Sequence, residues 1–325
     1  MKAVVIHELG SSDVLKYEDM PDPQIRPRQV LVRIKAASIN RGDLGRREGT
    51  YRGATAGAAL PLVLGWDVAG EILEVGQEVE GRHVGQRVVA TLAQGGYAEL
   101  AAVNVAGTVP IPDSLSYEEA ASIPIAFLTA WFALLKIGEL QDGEVALIQS
   151  GGSGVGMAAI QIAKHAGATV ITTSGTEDKL QRCREMGADL AINYRQGDVP
   201  AEVSSFTAGS GVNYVLESVG GETFSNSLKC LAAGGRLVTV GNTSQSTSPV
   251  DAGMLVQRGL RIIGFSLSTQ MGRGGVMGEL YRILELFEQG ALRTAVDRVF
   301  PLKEASEAHR YMADNRNFGK VLLVP

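Results

Sequence analysis

Cysteine is scarce in this chain. Two occur in 325 residues, Cys183 and Cys230. That excludes a disulfide-stapled fold and suits a reducing, cytoplasmic compartment. Neither lies in a C-x-x-C pair, and the four histidines (His7, His83, His165, His309) are scattered. A structural zinc needs four such ligands and a catalytic zinc about three, so no metal site is expected. Both cysteines sit in helical patterns and read as packing residues. Runs of lysine or arginine are also missing, and the net charge is −5. That argues against nucleic acid or an anionic membrane as the main partner. The longest apolar run, 123–135, is too short to span a bilayer and reads as a buried helix. The opening MKAVVIHELG carries no apolar signal segment. What remains is a soluble globular composition, 45% hydrophobic and 20% charged. The length favours two domains.

The stretch 145–195 organises the rest. An apolar run at 145–148 reads as a buried strand, and Gly151, Gly152, Gly154 and Gly156 follow at once. Val155, Ala159, Ile162, Ala163 and Ala166 then recur at helical spacing, and a second β-branched run covers 169–173. Strand, glycine turn, helix, strand is the unit that holds a dinucleotide. The glycines let the backbone approach a pyrophosphate, and the N–H groups opening the helix face the anion. Residues 152–156 read G-x-G-x-G, an imperfect match to G-x-G-x-x-G, so the strand–helix context carries the argument.

Residues 1 to about 125 read as mostly β, with strand patterns at 1–9, 14–18, 29–37, 67–75 and 87–92. Such short strands suggest a partly open barrel. Between them, 40–51 reads as a polar loop, followed by a Gly/Ala-rich segment. Ser116 and Glu119 fit a capping box. Pro124 breaks the following run, and 127–135 resumes as helix. From 127 to 267, strand patterns at 145–149, 169–173, 190–193, 213–217, 236–241 and 260–264 alternate with helical ones at 155–166, 177–186, 199–206 and 223–231. Six parallel strands in βα alternation make a complete doubly wound dinucleotide-binding sheet. The tail, helical at 275–290 and 303–312 with a strand at 320–324, is therefore assigned back to the first domain.

The second strand of this α/β domain ends Thr172-Thr173-Ser174-Gly175 with no acid at its tip, and Lys179 follows. A carboxylate there would accept from a ribose 2′-OH. A hydroxyl, a glycine and a lysine suit a 2′-phosphate, which needs donors and positive charge. NADPH is the expected cofactor, with Glu177 the residue that could serve a ribose instead. Without a Lewis acid to polarise an alkoxide, reduction of an activated, conjugated acceptor is favoured over alcohol oxidation.

These features resemble the zinc-independent quinone oxidoreductases (zeta-crystallin-like) of the medium-chain dehydrogenase/reductase superfamily. The resemblance covers nearly the whole chain. It rests on the opening MKAVVIHELG, INRGD, PLVLGWDVAGEILEVG, the ending NFGKVLLVP and, most specifically, residues 143–164 with Gln161 and Lys164. Ser153 departs from the family's glycine. Where zinc-containing relatives carry a Cys and a Gly-His-Glu, this chain reads Ala37-Ser38-Ile39-Asn40 and Gly65-Trp66-Asp67.

The resemblance implies a Rossmann six-stranded parallel sheet domain at 127–267 and a GroES-like, mostly β substrate domain at 1–126 and 268–325. It puts Asn40, Arg41 and Asp43 beside the nicotinamide and Thr129 on a cofactor-contacting helix. Gly154, Val155 and Gly156 fall on the pyrophosphate turn. Ser174, Gly175, Lys179 and Tyr194 fall at the 2′-phosphate. Gly241, Asn242 and Thr243 fall beside the nicotinamide half, Asn317 near the ribose and nicotinamide, and Phe265 and Leu267, also cofactor-binding, follow the sixth strand. The implied reaction is hydride transfer from NADPH to a small-molecule quinone or enone, with the Asn40 amide and Tyr51 hydroxyl as candidate catalytic donors to the carbonyl oxygen. The segment 53–59 is expected to tune which substrate enters. Two alternatives stand beside this: an enoyl reductase acting on acyl thioesters or enones, and a non-catalytic NADPH-binding structural or RNA-binding protein. A homodimer is implied, through sheet edges of the cofactor domain.

Overall fold

The structure is a computed structural model that describes residues 1–52, 57, 59–271 and 275–325. The segment expected to tune substrate entry lies largely outside the described residues. The chain divides into two compact units, Met1–Leu128 with Ser268–Pro325, and Thr129–Leu267.

The first unit opens with β1 (Lys2–Ile6), β2 (Lys16–Asp19), β3 (Gln29–Ile39), β4 (Leu62–Val63), β5 (Asp67–Val75), β6 (Arg87–Thr91), β7 (Leu100–Asn104) and β8 (Thr108–Pro110). The second unit holds β9 (Val145–Ile148), β10 (Thr169–Ser174), β11 (Leu190–Asn193), β12 (Val212–Glu217), β13 (Leu231–Thr239) and β14 (Arg261–Gly264). The chain then returns to the first unit with β15 (Val296–Pro301) and β16 (Lys320–Val324).

In the second unit the six strands run parallel in the order β11-β10-β9-β12-β13-β14. The order reverses between β9 and β12, the switch point where such sheets open a crevice at their carboxyl ends. Leu147, Ile171, Val215 and Leu237, one from each of four strands, share one apolar core with Phe224 and Leu228. Strand β13 begins five residues earlier than its hydrophobic pattern, because Leu231 still pairs with Val212. Helices Ala252–Arg258 and Leu267–Met271 add to those read from sequence.

In the first unit β2-β1-β4 form a small sheet, and β15-β16-β3-β5-β6-β8 a larger one with β7 also on β3. The C-terminal strand β16 pairs antiparallel with β3, Leu322 opposite Ser38, so the tail completes this sheet. Helix Val276–Glu288 packs there too, with Phe287 edge-on to Phe127 at 4.8 Å.

Two local expectations need correction. The stretch 40–51 is not a loop: Arg41–Glu48 is a helix, closed by Gly49 in the left-handed conformation. Its buried side chains include Asp43, Arg46 and Arg47 as well as Leu44, so it has no apolar stripe for a periodicity search to find. Pro124 opens rather than breaks a helix, Pro124–Trp131, which continues as a π-helical turn over Phe132–Ile137. Proline fits there because the first turn has no hydrogen bond for its missing N–H to make. Among the described residues no helix is long and apolar enough to cross a membrane.

Candidate active site

The cofactor half is built at the carboxyl end of the parallel sheet. Strand β9 runs into the glycine turn, and helix Gly154–His165 starts at once. Ser153, the departure from glycine, is the N-cap: its Oγ accepts from the Gly156 N–H at 3.0 Å. The odd residue therefore stabilises the start of this helix, an end whose unpaired N–H groups suit an anion. Gly156 itself is obligatory, since a Cβ there would lie 2.2 Å from the Ser150 carbonyl oxygen.

Strands β10 and β11 end side by side, Ser174 opposite Asn193. That register sets Tyr194 and Arg195, the next two residues, over Gly175. A Cβ on Gly175 would lie 2.7 Å from the Tyr194 hydroxyl and 2.9 Å from Arg195 Nε. Arg195 is the binding candidate that the sequence reading missed; its signal was only its place just after a strand end. Thr176 caps the next helix through the Lys179 N–H. Glu177, the possible ribose partner, is turned along its own helix onto Arg184 at 2.7 Å.

At the ends of β12 and β13, Thr243 N–H donates to Ser218 O. The Asn242 amide is spent within its own turn, donating to Ser246 O and accepting from Ser244 Oγ, each at 3.0 Å. Gly241 accepts from Thr239 Oγ1. Phe265 stacks on Phe132, nearly parallel, with centroids 6.2 Å apart. Thr129 and Leu267, the first and last residues of this unit, are both buried.

In the first unit Asn40 and Asp43 join Asp67 and Lys320 in one buried polar cluster, while Arg41 and Asn317 lie outside it. Asn40 precedes helix Arg41–Glu48, and its backbone N–H donates to Asp43 Oδ2 at 2.8 Å. Its side chain bridges two partners: Nδ2 donates to Asp67 Oδ2 at 3.0 Å and Oδ1 accepts from Lys320 Nζ at 2.7 Å. The amide expected to face substrate thus holds a strand of each half of the sheet, β5 and β16, to the start of the helix. Arg41 donates to Asn315, and Asn317 Nδ2 to Gly319 O at 2.8 Å, so both fasten the turn that leads into β16. Tyr51 lies against Trp66, centroids 5.3 Å apart.

Asp43 and Asp67 are fully buried. Burial lifts the Asp43 carboxyl to about 6 against the pull of Asn40, Tyr97 and Lys320. Burial likewise lifts Asp67 to about 7, opposed by Lys320 and Asn40. Burial lowers Lys320, and the two carboxylates hold it up. Behind them runs an ordered chain of donors. Arg47 can only donate, so the His309 Nδ1 it meets at 3.1 Å is an acceptor. His309 Nε2 then carries the proton and donates to Tyr97 Oη at 3.2 Å. The Tyr97 hydroxyl hydrogen-bonds Asp43 in turn. None of Asp67, Tyr97, His309 or Lys320 was given a site role from sequence, because lone polar residues in apolar strands and helices carry no periodic signal.

The alcohol dehydrogenase GroES-like domain family matches residues 26–113, and the zinc-binding dehydrogenase family matches 154–286. A quinone oxidoreductase of Pseudomonas aeruginosa is 33% identical over 330 residues, spanning 100% of this chain and 99% of that protein. The chain belongs to the quinone oxidoreductase branch of the medium-chain dehydrogenase/reductase family. A 2-haloacrylate reductase of Burkholderia is 30% identical over 99% of this chain and 98% of its own length. The chain also matches a phenolphthiocerol/phthiocerol polyketide synthase subunit of Mycobacterium tuberculosis at 32% identity, but spans only 14% of that protein. Among solved structures, the Escherichia coli quinone oxidoreductase complexed with NADPH superposes with a TM-score of 0.93 at 31% identity, covering all of both chains. An NAD-dependent alcohol dehydrogenase gives 0.92 at 36% identity, again over all of both chains. In this quinone oxidoreductase family member, no group of three or more His, Cys, Asp or Glu among the described residues could hold a metal ion.

Proposed function

We propose that the chain is an NADPH-dependent reductase that passes hydride to quinones or to other α,β-unsaturated carbonyl compounds. The observation that carries the cofactor assignment is the end of β10. Gly175 lies there under the Tyr194 hydroxyl and Arg195 guanidinium, with Ser174 just before it and Lys179 four residues on, in the first turn of the next helix; of the two acids in that turn, Glu177 is paired with Arg184 and Asp178 is exposed. Hydroxyls and fixed positive charge fit a 2′-phosphate. The likeness to a quinone oxidoreductase complexed with NADPH supports the same reading.

NADPH, when bound, supplies the hydride. The N–H groups at the start of helix Gly154–His165 would hold its pyrophosphate, and Ser174, Lys179, Tyr194 and Arg195 its 2′-phosphate. On the acceptor side the Asn40 amide binds Asp67 and Lys320 at the start of helix Arg41–Glu48, and the Tyr51 hydroxyl is the donor assigned to the carbonyl oxygen where negative charge develops. Solvent completes the reduction with a proton. The match to a polyketide synthase subunit supports a second reading, in which the carbonyl belongs to an acyl thioester.

The test follows nicotinamide absorbance with NADPH or NADH and 1,4-benzoquinone, in the presence of a chelator. We expect oxidation of NADPH in preference to NADH. In Lys179→Ala and Arg195→Ala each, kcat/KM for NADPH should fall about 10- to 100-fold while that for NADH holds, the size of one lost charged hydrogen bond. Tyr51→Phe should lower kcat by about 100-fold or more, and an unchanged kcat would remove Tyr51 from the mechanism. Equal use of both cofactors by the wild type would sink the 2′-phosphate assignment. Tight NADPH binding without quinone turnover would move the search to enoyl thioesters or a non-catalytic role.

A further inference from the structure

Helix Arg41–Glu48 buries two adjacent arginines, and only one of them is satisfied. Arg47, 3% exposed, donates to Gly10 O, His309 Nδ1 and Glu48. Arg46, 5% exposed, donates through Nη1 to Ala93 O at 2.8 Å. Its Nη2 is buried and has no hydrogen-bond partner among the described residues. Arginine is almost never fully buried unless paired, because its charge and its five donors lose water on burial. The buried carboxylate nearest in sequence, Asp43, is already taken by the Asn40 and Gly65 N–H groups and Tyr97. Asp67 is held by Asn40, with Lys320 4.0 Å away.

The surroundings of Arg46 are fixed and specific. Its guanidinium carbon lies 5.9 Å from the Trp66 ring centroid. The Trp66 indole N–H donates to the same Ala93 carbonyl at 3.1 Å. Tyr51 lies against the same indole, ring centroids 5.3 Å apart. Trp66 cannot back away easily, since it lies so close over Gly42 that a Cβ there would be 2.2 Å from its ring. A guanidinium with a buried, unpartnered donor and a tyrosine therefore stand against one indole.

We propose that Arg46 is a carboxylate-binding residue, and that the acceptor is an unsaturated acid whose carboxylate is conjugated to the double bond that is reduced. This rests on the reductase reading above and narrows its substrate class. A carboxylate is the acceptor that matches guanidinium in charge and shape. A neutral quinone or ketone oxygen would accept a hydrogen bond but add no negative charge beside a guanidinium whose nearby carboxylate, Asp43, acts on it through space while its oxygens are held by other donors. Because Arg46 shares the indole with Tyr51, the group it binds is the activating group itself rather than a distant tail.

Calorimetric titration of the full-length protein without cofactor, using methacrylate and methyl methacrylate, tests this. Wild type should bind the acid at least about tenfold more tightly than its ester, the worth of one charge-assisted contact. Arg46→Lys should keep part of that preference, and Arg46→Gln should abolish it. Equal affinities in the wild type, or a preference that survives in Arg46→Gln, overturn the proposal. If Arg46→Gln does not fold, the acid-to-ester ratio in wild type and its reduction in Arg46→Lys still decide. The benzoquinone assay separates the two readings. Quinone turnover without acid preference sinks only the role of Arg46. Acid preference without any NADPH oxidation sinks the reductase reading and leaves a carboxylate site.

Discussion

His309 shows how much one buried side chain can say about pH. It is fully buried, and burial with the Arg47 charge lowers its pKa to about 3. An unfolded histidine titrates near 6.5. Between those values the unfolded chain binds more protons than the folded one, so the histidine costs stability as pH falls from about 6.5 towards 3. Asp43 and Asp67 act in the opposite sense. Their folded values, about 6 and about 7, lie above the ordinary carboxylate value. Their contribution is full below about pH 4 and is lost as pH rises through 6 to 7. In the wild type the two effects offset each other. His309→Gln removes one of them. In urea unfolding, the stability of wild type relative to His309→Gln should therefore decline towards acid, by up to about 1.4 kcal/mol per pH unit. A difference between the two that is the same at about pH 7 and pH 4.5 would show that the histidine is not held neutral. Lys320→Met tests the other side of the cluster. It leaves two buried carboxyls without their cation, and at neutral pH it should cost about 3–5 kcal/mol in the same measurement. A loss within experimental error would mean both carboxyls are already protonated.

At the scale of elements, two glycines that look alike in sequence have different neighbours and should fail differently. A Cβ on Gly156 meets backbone, the Ser150 carbonyl and Gly151 Cα. Neither can move without breaking the turn, so Gly156→Ala should lower the melting temperature and abolish NADPH binding together. A Cβ on Gly175 meets the ends of two side chains, Tyr194 Oη and Arg195 Nε. Those can swing away, so Gly175→Ala should fold normally while losing its preference for NADPH over NADH in the same assay. Normal NADPH selectivity in Gly175→Ala would mean that Tyr194 and Arg195 do not read the phosphate. The contrast also marks where sequence reading ends. The parallel strands and their helices were legible because each carries an apolar run of the right length and period: β11 and helix Val199–Phe206 fall where the pattern puts them. The glycine turn was legible through its context. Helix Arg41–Glu48 was not, because its inward face is half charged, and no linear pattern reveals that Lys320, 280 residues on from Asn40, would donate to its amide oxygen. Short strands such as β4 and β8 exist only through their partners in the sheet.

At the scale of the whole molecule, the question is what the outer edge of β14 meets. It is the last strand in the six-stranded order, and among the described residues no strand pairs with its far side. Edge strands are normally protected by lysine, proline, a bulge or a cover. Strand β14 reads Arg-Ile-Ile-Gly, with both isoleucines half-buried and only the arginine charged. Val256, in the helix just before it, is 84% exposed, and Val250 is exposed as well. We propose that two copies pair through this edge, each supplying the other's missing strand neighbour, since an isologous contact of that kind closes on itself and leaves no template for further addition. Light scattering behind size exclusion should then give twice the chain mass of 34.3 kDa for the wild type. Ile263→Lys places a charge on the edge and should give a single chain mass with little change in melting temperature, because the residue is only half-buried. A monomeric wild type at micromolar concentration would overturn the proposal, and a dimer that survives Ile263→Lys would place the contact on another face.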